Sequence, residues 1–280
     1  MSMMKIIKET ESLFRQHFHK LLPIYLAIEI LMLAVNLISN QIVAIFGGIV
    51  FVTLSHAYVI TSLKCVENRT AEIQFKDCFV GMTNFVKLFP AYIMRKLILN
   101  VISLCILSPG LLLIRFNTGF ALGEFLDWVR VIVVTGINEI NSLSIVSDYL
   151  TQPILIICFS LASVISSFAS FGLSMMPYLV EKYDISWNEA IMKSWQMTKG
   201  KKRYILFIQL FYLPRILLVY LSVNIISSLL AFVPFLSISI TIFLAIYLPL
   251  FFYLPHIEIA MALFYQNLIS QEEHKELFVI

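Results

Sequence analysis

Charged residues are scarce in this sequence. Only 13% of its 280 residues are Asp, Glu, Lys or Arg, whereas 60% are hydrophobic and the mean hydropathy is +0.89. A soluble domain has roughly a quarter of its residues charged, so this chain has too little polar surface to cover a water-exposed globule. Its apolar runs are continuous rather than alternating, which argues against a β-barrel. The composition predicts an all-α, polytopic membrane protein.

The sequence also lacks the motifs of common catalytic and cofactor sites. It contains no HExxH, Walker loop, glycine-rich dinucleotide loop or paired-carboxylate arrangement. Its four cysteines form no CxxC and no Cys/His cluster, and two of them, Cys105 and Cys158, fall within apolar runs, where cysteine acts as a small hydrophobe. We therefore predict a non-enzymatic protein with no cofactor, no metal and no nucleic-acid partner.

Six apolar runs have the length of a helix that crosses the hydrocarbon core of a bilayer. Their predicted bounds are about 21–39, 42–63, 90–109, 153–179, 204–233 and 236–254. The fourth run is rich in Ser, Ala and Gly, which predicts close helix packing at the centre of the bundle. Residues 116–152 are too polar to span, and their apolar face from Leu122 to Val133 favours a helix on the outer surface.

Amphipathic segments precede three of these runs and predict cytoplasmic interfacial helices at residues 3–20, 73–88 and 185–200. Shifting 73–88 by 112 residues aligns it with 185–200. This alignment indicates either a repeated unit or the resemblance common to amphipathic helices. We predict one membrane domain, divided into 1–20, 21–63, 64–179 with the outer insertion 116–152, 180–270 and a polar tail, 271–280.

Lys and Arg are unevenly distributed among the predicted connections. Four lie in the N-terminal segment, six between the second span and the start of the third, and six between the fourth and fifth spans. The opposite side has only Arg115 and Arg130. Because basic residues are retained on the cytoplasmic side, we predict that both termini lie in the cytoplasm.

Three polar residues within the predicted spans form a candidate intramembrane site: Glu29, Arg215 and His56. A charge at the bilayer centre costs about 3 kcal/mol, so each needs a compensating contact or a function. Glu29 lies about 12 Å into the first span and Arg215 about 16 Å into the fifth. These depths predict a Glu29–Arg215 pair that serves a substrate, a proton or structure alone. The alternatives are that Arg215 snorkels to the interface and that His56 only packs.

A basic cluster, Lys199, Lys201, Lys202 and Arg203, precedes the fifth span. It is predicted to set the orientation of the chain or to contact anionic lipid headgroups. His256 and Glu258 are expected to be interfacial polar residues. The sequence Gly172-Leu173-Ser174 resembles the Gly-x-Ser of intramembrane serine proteases, with His56 as the base, although a three-residue match in a serine-rich helix is expected by chance.

Four stretches carry a resemblance to a known family: "DISWNEAIMKSWQMTKGKKRYILFIQLF", "FKDCFVGMTNF", "SPGLLL" and "YLPLFFYLPHIEIAMALFYQNL". They resemble uncharacterised bacterial multi-pass proteins related to the membrane domain of glycerophosphoryl diester phosphodiesterases. The resemblance implies six spans and a bacterial cytoplasmic membrane. The hydrolase domain is absent, so its activity is not implied, and segment 116–152 departs from the family pattern.

These patterns together favour a transport-related or lipid-associated component of a bacterial cytoplasmic membrane, with membrane lipids as its expected partners. The alternative is a structural, immunity or envelope-maintenance protein that binds another membrane protein or a second copy of itself. An intramembrane protease using Ser174 is a remote alternative.

Overall fold

The computed structural model describes residues 2–36, 41–118, 153–183, 185–230, 232 and 234–277, and the regular elements in these ranges are all helices. The α-helices are α1 (Met3–Asn36), α2 (Gln41–Val66), α3 (Val80–Thr83), α4 (Phe85–Thr118), α5 (Pro153–Gly172), α6 (Met176–Lys182), α7 (Trp187–Thr198), α8 (Lys202–Leu229), α9 (Pro234–Phe252) and α10 (Leu254–Leu277). Two short 3₁₀ helices, Thr70–Glu72 and Phe75–Phe79, connect α2 to α3.

Five stretches of the described chain are long and apolar enough to cross a membrane: Met3–Ala34, Phe85–Gly110, Ile156–Lys182, Lys202–Leu229 and Ser239–Gln271. They confirm the all-α, multi-pass membrane class. The second predicted span, 42–63, falls in α2, a helix of 26 residues that is not among the five. The predicted outer-surface helix within 116–152 lies outside the described residues, apart from the end of α4.

The described residues divide into two compact units. The first comprises Met1–Phe89, Pro177–Ser186 and Gly200–Ile280, and the second comprises Pro90–Met176 and Trp187–Lys199. The ion pairs His56–Glu181, Lys64–Asp77 and Glu11–Arg215 lie in the first unit. The second unit is characterised by hydrogen bonds of serine hydroxyls, including one to the carbonyl of Gly172.

In the first unit, α1, α2 and α10 pack against one another. Their interface buries apolar side chains and includes a contact between the Tyr25 and Tyr58 rings, whose centroids are 4.8 Å apart. We predicted a boundary in α1 near Lys20, but the helix is continuous for 34 residues, and Ile6 and Ile7 are buried in the protein. The N-terminal segment is therefore part of a long packed helix rather than a separate interfacial one.

Residues 256–269, which we predicted as a juxtamembrane helix, lie within α10. Ala260, Ala262 and Tyr265 are fully buried, and the helix packs on α1 and α2. Small side chains allow neighbouring helices to approach closely, which explains how a segment with only moderate hydropathy becomes part of the core. His256, predicted as an interfacial polar residue, is 3% exposed, so the protein encloses its imidazole.

In the second unit, α7 packs on the end of α5. The hydroxyl of Ser103 on α4 lies 2.6 Å from that of Ser166 on α5. The predicted fourth span, 153–179, is not one helix, because a turn at residues 173–175 separates α5 from α6. The serine-rich composition therefore provides polar contacts between helices as well as close packing.

Candidate functional site

Four polar or charged side chains of the first unit form a group that we call the Glu11 cluster: Glu11, Tyr212, Arg215 and His256. Nη2 of Arg215 lies 2.7 Å from Oε1 of Glu11, and Nε2 of His256 lies 3.4 Å from Oε2 of the same carboxylate. Helix α1 contributes Glu11, α8 contributes Tyr212 and Arg215, and α10 contributes His256. One carboxylate thus connects three helices, each of which lies in a stretch apolar enough to cross a membrane.

Helical spacing explains how the side chains of the cluster are oriented. Tyr212 and Arg215 are three residues apart on α8 and therefore share a face, and the guanidinium carbon lies 5.2 Å from the centroid of the Tyr212 ring. A cation over an aromatic face in a partly desolvated site is attracted by the ring quadrupole. Glu11 and Phe14 share a face of α1 in the same way, and the Phe14 and His256 ring centroids are 4.1 Å apart.

Three atoms of the cluster are buried without a hydrogen-bond partner among the described residues: Oε1 of Glu11, the hydroxyl oxygen of Tyr212 and Nδ1 of His256. The contact of Glu11 Oε1 with Arg215 is close enough for an ion pair but is not aligned as a hydrogen bond. A buried polar atom without a partner costs about 1–3 kcal/mol. The cluster therefore contains a polar position that water, a proton or a small polar group would satisfy.

The structure does not form the predicted Glu29–Arg215 pair, and that prediction is wrong. Glu29 instead accepts a hydrogen bond from the hydroxyl of Tyr58 at 2.7 Å, and Arg215 pairs with Glu11. Glu11 and Glu29 are about 27 Å apart along the continuous helix α1 at ~1.5 Å per residue. Arg215 contacts the N-terminal part of α1, so its partner is the earlier carboxylate.

His56 forms a second polar contact in the first unit. Its fully buried ring places Nε2 2.9 Å from Oε2 of Glu181 on α6. A buried imidazole held by a carboxylate is both packed and able to exchange a proton, so both predicted roles for His56 stay open. The structure does not bring Glu29, Arg215 and His56 together as one site, since each has a separate partner.

Sequence reasoning missed Glu11, Glu181 and, as a site residue, His256. Glu11 lies among Lys8, Glu9 and Arg15 in a segment that reads as the polar face of an interfacial helix. Only the packing of α8 and α10 on α1 distinguishes Glu11 from those neighbours.

Two members of the basic cluster, Lys201 and Arg203, make contacts with neighbouring side chains. Nζ of Lys201 donates to Oε1 of Gln271 at 2.6 Å, and the guanidinium of Arg203 lies 5.3 Å from the centroid of the Tyr204 ring. Lys202 begins α8, and Lys199 precedes it in the second unit. These positions are compatible with either predicted role, orientation or lipid contact.

The structure lends no support to a protease site. The hydroxyl of Ser174 donates to the carbonyl of Phe171 at 2.8 Å, and His56 contacts Glu181. Within the described ranges, no three His, Cys, Asp or Glu side chains are grouped as metal ligands.

Comparison with known proteins identifies no relative of the chain. No protein-family model, no curated protein and no solved structure matches it. The resemblance to the membrane domain of glycerophosphoryl diester phosphodiesterases therefore stays a prediction. The helices establish a multi-pass membrane protein, and any closer statement of function depends on the polar contacts described above.

Proposed function

We propose that this protein is a transport-related component of a bacterial cytoplasmic membrane, with both termini in the cytoplasm, and that the Glu11 cluster binds a proton. The observation that carries the proposal is the buried Nδ1 of His256 on α10, which has no partner among the described residues and lies beside the Glu11–Arg215 ion pair that joins α1 to α8. Ionisable groups within membrane helices commonly mark proton or ion pathways.

The geometry supports a proton in particular. Glu11 is shared between a permanent cation, Arg215, and a side chain that is a cation only when it is protonated, His256. When His256 binds a proton, it competes with Arg215 for the carboxylate. Protonation would therefore redistribute the contacts of α1 with α8 and α10, which couples a charge to helix packing.

The alternative is that the Glu11–Arg215 pair only fastens α1 to α8. A purely structural pair requires the carboxylate and the guanidinium, but it does not require a titratable group at position 256. The two interpretations therefore differ in what the imidazole of His256 contributes.

The variant His256→Gln separates the two interpretations, because the amide of Gln can still donate to Glu11 but cannot take up a proton as an imidazole does. We would reconstitute the protein in liposomes on a solid-supported membrane and record the transient current after a pH jump. We expect a current from the wild-type protein and its loss in His256→Gln with the helical content retained.

His19→Gln is the matched control, because His19 is an exposed histidine of α1. This variant should retain the wild-type current. Equal currents from the wild-type protein and protein-free liposomes, or a full current from His256→Gln, would refute proton binding by this cluster.

A further inference from the structure

A separate cavity of about 80 Å³ lies in the first unit, where α1, the start of α8 and α10 meet. Because a buried water needs only about 10–15 Å³ of such space, the cavity accepts a group of several non-hydrogen atoms. It is lined by Met3, Ile6, Lys201, Tyr204, Phe264, Asn267 and Gln271.

The lining combines an apolar side with a polar side. Ile6 and Phe264 are buried and form the apolar side together with Met3. Asn267 and Gln271 are four residues apart on α10, so their amides lie on the same face of that helix. The cavity is therefore amphipathic, as a site for the boundary between a polar headgroup and an acyl chain must be.

The charge of the lining favours an anion. Among the described residues of the lining, Lys201 carries the charge, and its Nζ donates to Oε1 of Gln271 at 2.6 Å. Gln271 is exposed, so the polar side reaches the surface of the unit. An ammonium and two side-chain amides supply hydrogen-bond donors, and none of the described residues of the lining has a carboxylate that would repel an anionic ligand.

We propose that this cavity binds a phosphate ester, with Lys201, Asn267 and Gln271 donating to the phosphate oxygens and Met3, Ile6 and Phe264 contacting the adjoining carbon chain. An anionic phospholipid and a soluble phosphate ester share this chemistry. The proposal is independent of proton binding at the Glu11 cluster, which involves different side chains.

The test measures ligand retention by the full-length protein in detergent micelles. Native mass spectrometry would be recorded with phosphatidylglycerol, with phosphatidylcholine and with glycerol 3-phosphate. We expect phosphatidylglycerol to bind more tightly than phosphatidylcholine. In Lys201→Met we expect its affinity to fall by at least about tenfold, which corresponds to about 1.4 kcal/mol. Lys201→Arg should restore most of the binding, because it restores the charge.

Lys8→Met is the matched control, because it removes the same charge from an exposed residue of α1 that neither lines the cavity nor belongs to the basic cluster. We expect less than about a twofold change for this variant, since a charge away from the ligand acts only through the general field. Stronger retention of glycerol 3-phosphate than of phosphatidylglycerol would assign the site to a soluble ester. Equal losses in Lys201→Met and Lys8→Met, or equal binding of the anionic and zwitterionic lipids, would overturn the proposal.

The unfolding temperature, measured with and without lipid, distinguishes a loss of lipid binding from misfolding of the variant. Lys201→Met should unfold at the wild-type temperature without lipid and should lose only the stabilisation that phosphatidylglycerol adds to the wild-type protein. If the variant loses stability without lipid, Asn267→Leu provides a second test at a neutral position of the cavity. Unchanged phosphatidylglycerol affinity in a folded Asn267→Leu would also contradict the proposal.

Discussion

Segments 73–88 and 185–200 look like copies of one amphipathic helix in the sequence, but they have different structures. The first is divided into the 3₁₀ helix Phe75–Phe79, the four-residue helix α3 and the start of α4. The second contains one continuous helix, α7. Similar patterns of apolar residues therefore occur in an interrupted helix and in a continuous one. The buried polar contacts of each segment explain this difference.

Segment 73–88 is organised by a charge. Asp77 is 2% exposed, and its Oδ2 lies 2.7 Å from Nζ of Lys64 and accepts the backbone N–H of Gln74 at 3.0 Å. The same ammonium donates to the carbonyl of Glu72 at 3.1 Å. These contacts hold the Asp77 side chain and the Glu72 carbonyl against Lys64, near the end of α2. The backbone of the segment therefore turns instead of continuing as one helix.

Segment 185–200 is organised by hydroxyl groups. Ser194 donates to the carbonyl of Gly172 at 2.9 Å and accepts the N–H of Met175 at 3.1 Å. The hydroxyl of Thr198 lies 2.9 Å from the carbonyl oxygen of Ser194 and 3.2 Å from that of Gly172. Ser194 and Thr198 lie on one face of α7, four residues apart. The helix is kept intact because these contacts come from one face and leave its own backbone hydrogen bonds in place.

The largest expected effect comes from removing the cation on α2 that pairs with Asp77 of segment 73–88. Lys64→Met leaves the buried Asp77 carboxylate without its counter-charge, which costs about 3–5 kcal/mol. The free energy of unfolding would be measured from helical circular dichroism during SDS titration in mixed micelles.

Lys76→Met is its control, because Lys76 is exposed and the net charge changes equally. We expect less than about 0.5 kcal/mol for this surface substitution. The double variant Lys64→Met/Asp77→Asn should recover part of the loss. Equal stabilities of Lys64→Met and Lys76→Met would show that the ion pair does not organise the segment.

The next effect concerns the hydroxyl contacts of α7. Ser194→Ala leaves the Met175 N–H without its acceptor, for which we expect a loss of about 1–3 kcal/mol. Thr198→Ala should cost less in the same titration, because the Gly172 carbonyl keeps the hydrogen bond from Ser194. A larger loss for Thr198→Ala than for Ser194→Ala would contradict this order.

A smaller effect is expected where α7 approaches α5. A Cβ at position 172 would overlap with the ring of Trp195. Gly172→Ala should therefore cost a net of about 1–2 kcal/mol after its gain in helix propensity. In the double variant Gly172→Ala/Trp195→Leu, the two losses should be less than additive. Strict additivity in this cycle would mean that the ring does not restrict position 172.

The smallest effect is a change in reactivity rather than in stability. Burial raises the pKa of the Cys78 thiol to about 11, and its Sγ contacts the carbonyl of Ile24 at 3.7 Å. Since the thiolate is the reactive form, alkylation of Cys78 should accelerate with pH up to about 11. A protein that keeps only this cysteine would be labelled with iodoacetamide from pH 7 to pH 11.

A cysteine-free background carrying Lys76→Cys supplies the exposed comparison two residues away. Its rate should level off soon after pH 9, because an ordinary thiol has a pKa of about 8.5. Coinciding pH profiles for the two thiols would contradict the burial of Cys78, and with it the packing of Phe75–Phe79 on α1.

The helices that were predicted well are those with long apolar runs. Helix α8 covers Lys202–Leu229 against a predicted 204–233, and α9 covers Pro234–Phe252 against 236–254. Such runs specify both a helix and its bounds, because an unpaired backbone group in an apolar environment is costly. The residues predicted as an intramembrane polar site, Glu29, His56 and Arg215, make polar contacts with three separate partners, Tyr58, Glu181 and Glu11.

The sequence by itself determined the membrane class, the helical state and the approximate ends of the apolar helices, because these depend on composition and local periodicity. Tertiary structure decided which charges meet, that α1 continues unbroken past Lys20, and that Asp77 turns segment 73–88 while Ser194 docks α7. An ion pair such as Glu11–Arg215 joins residues far apart in sequence, and its energy depends on a distance of a few ångström. Only the packing of the helices sets such distances.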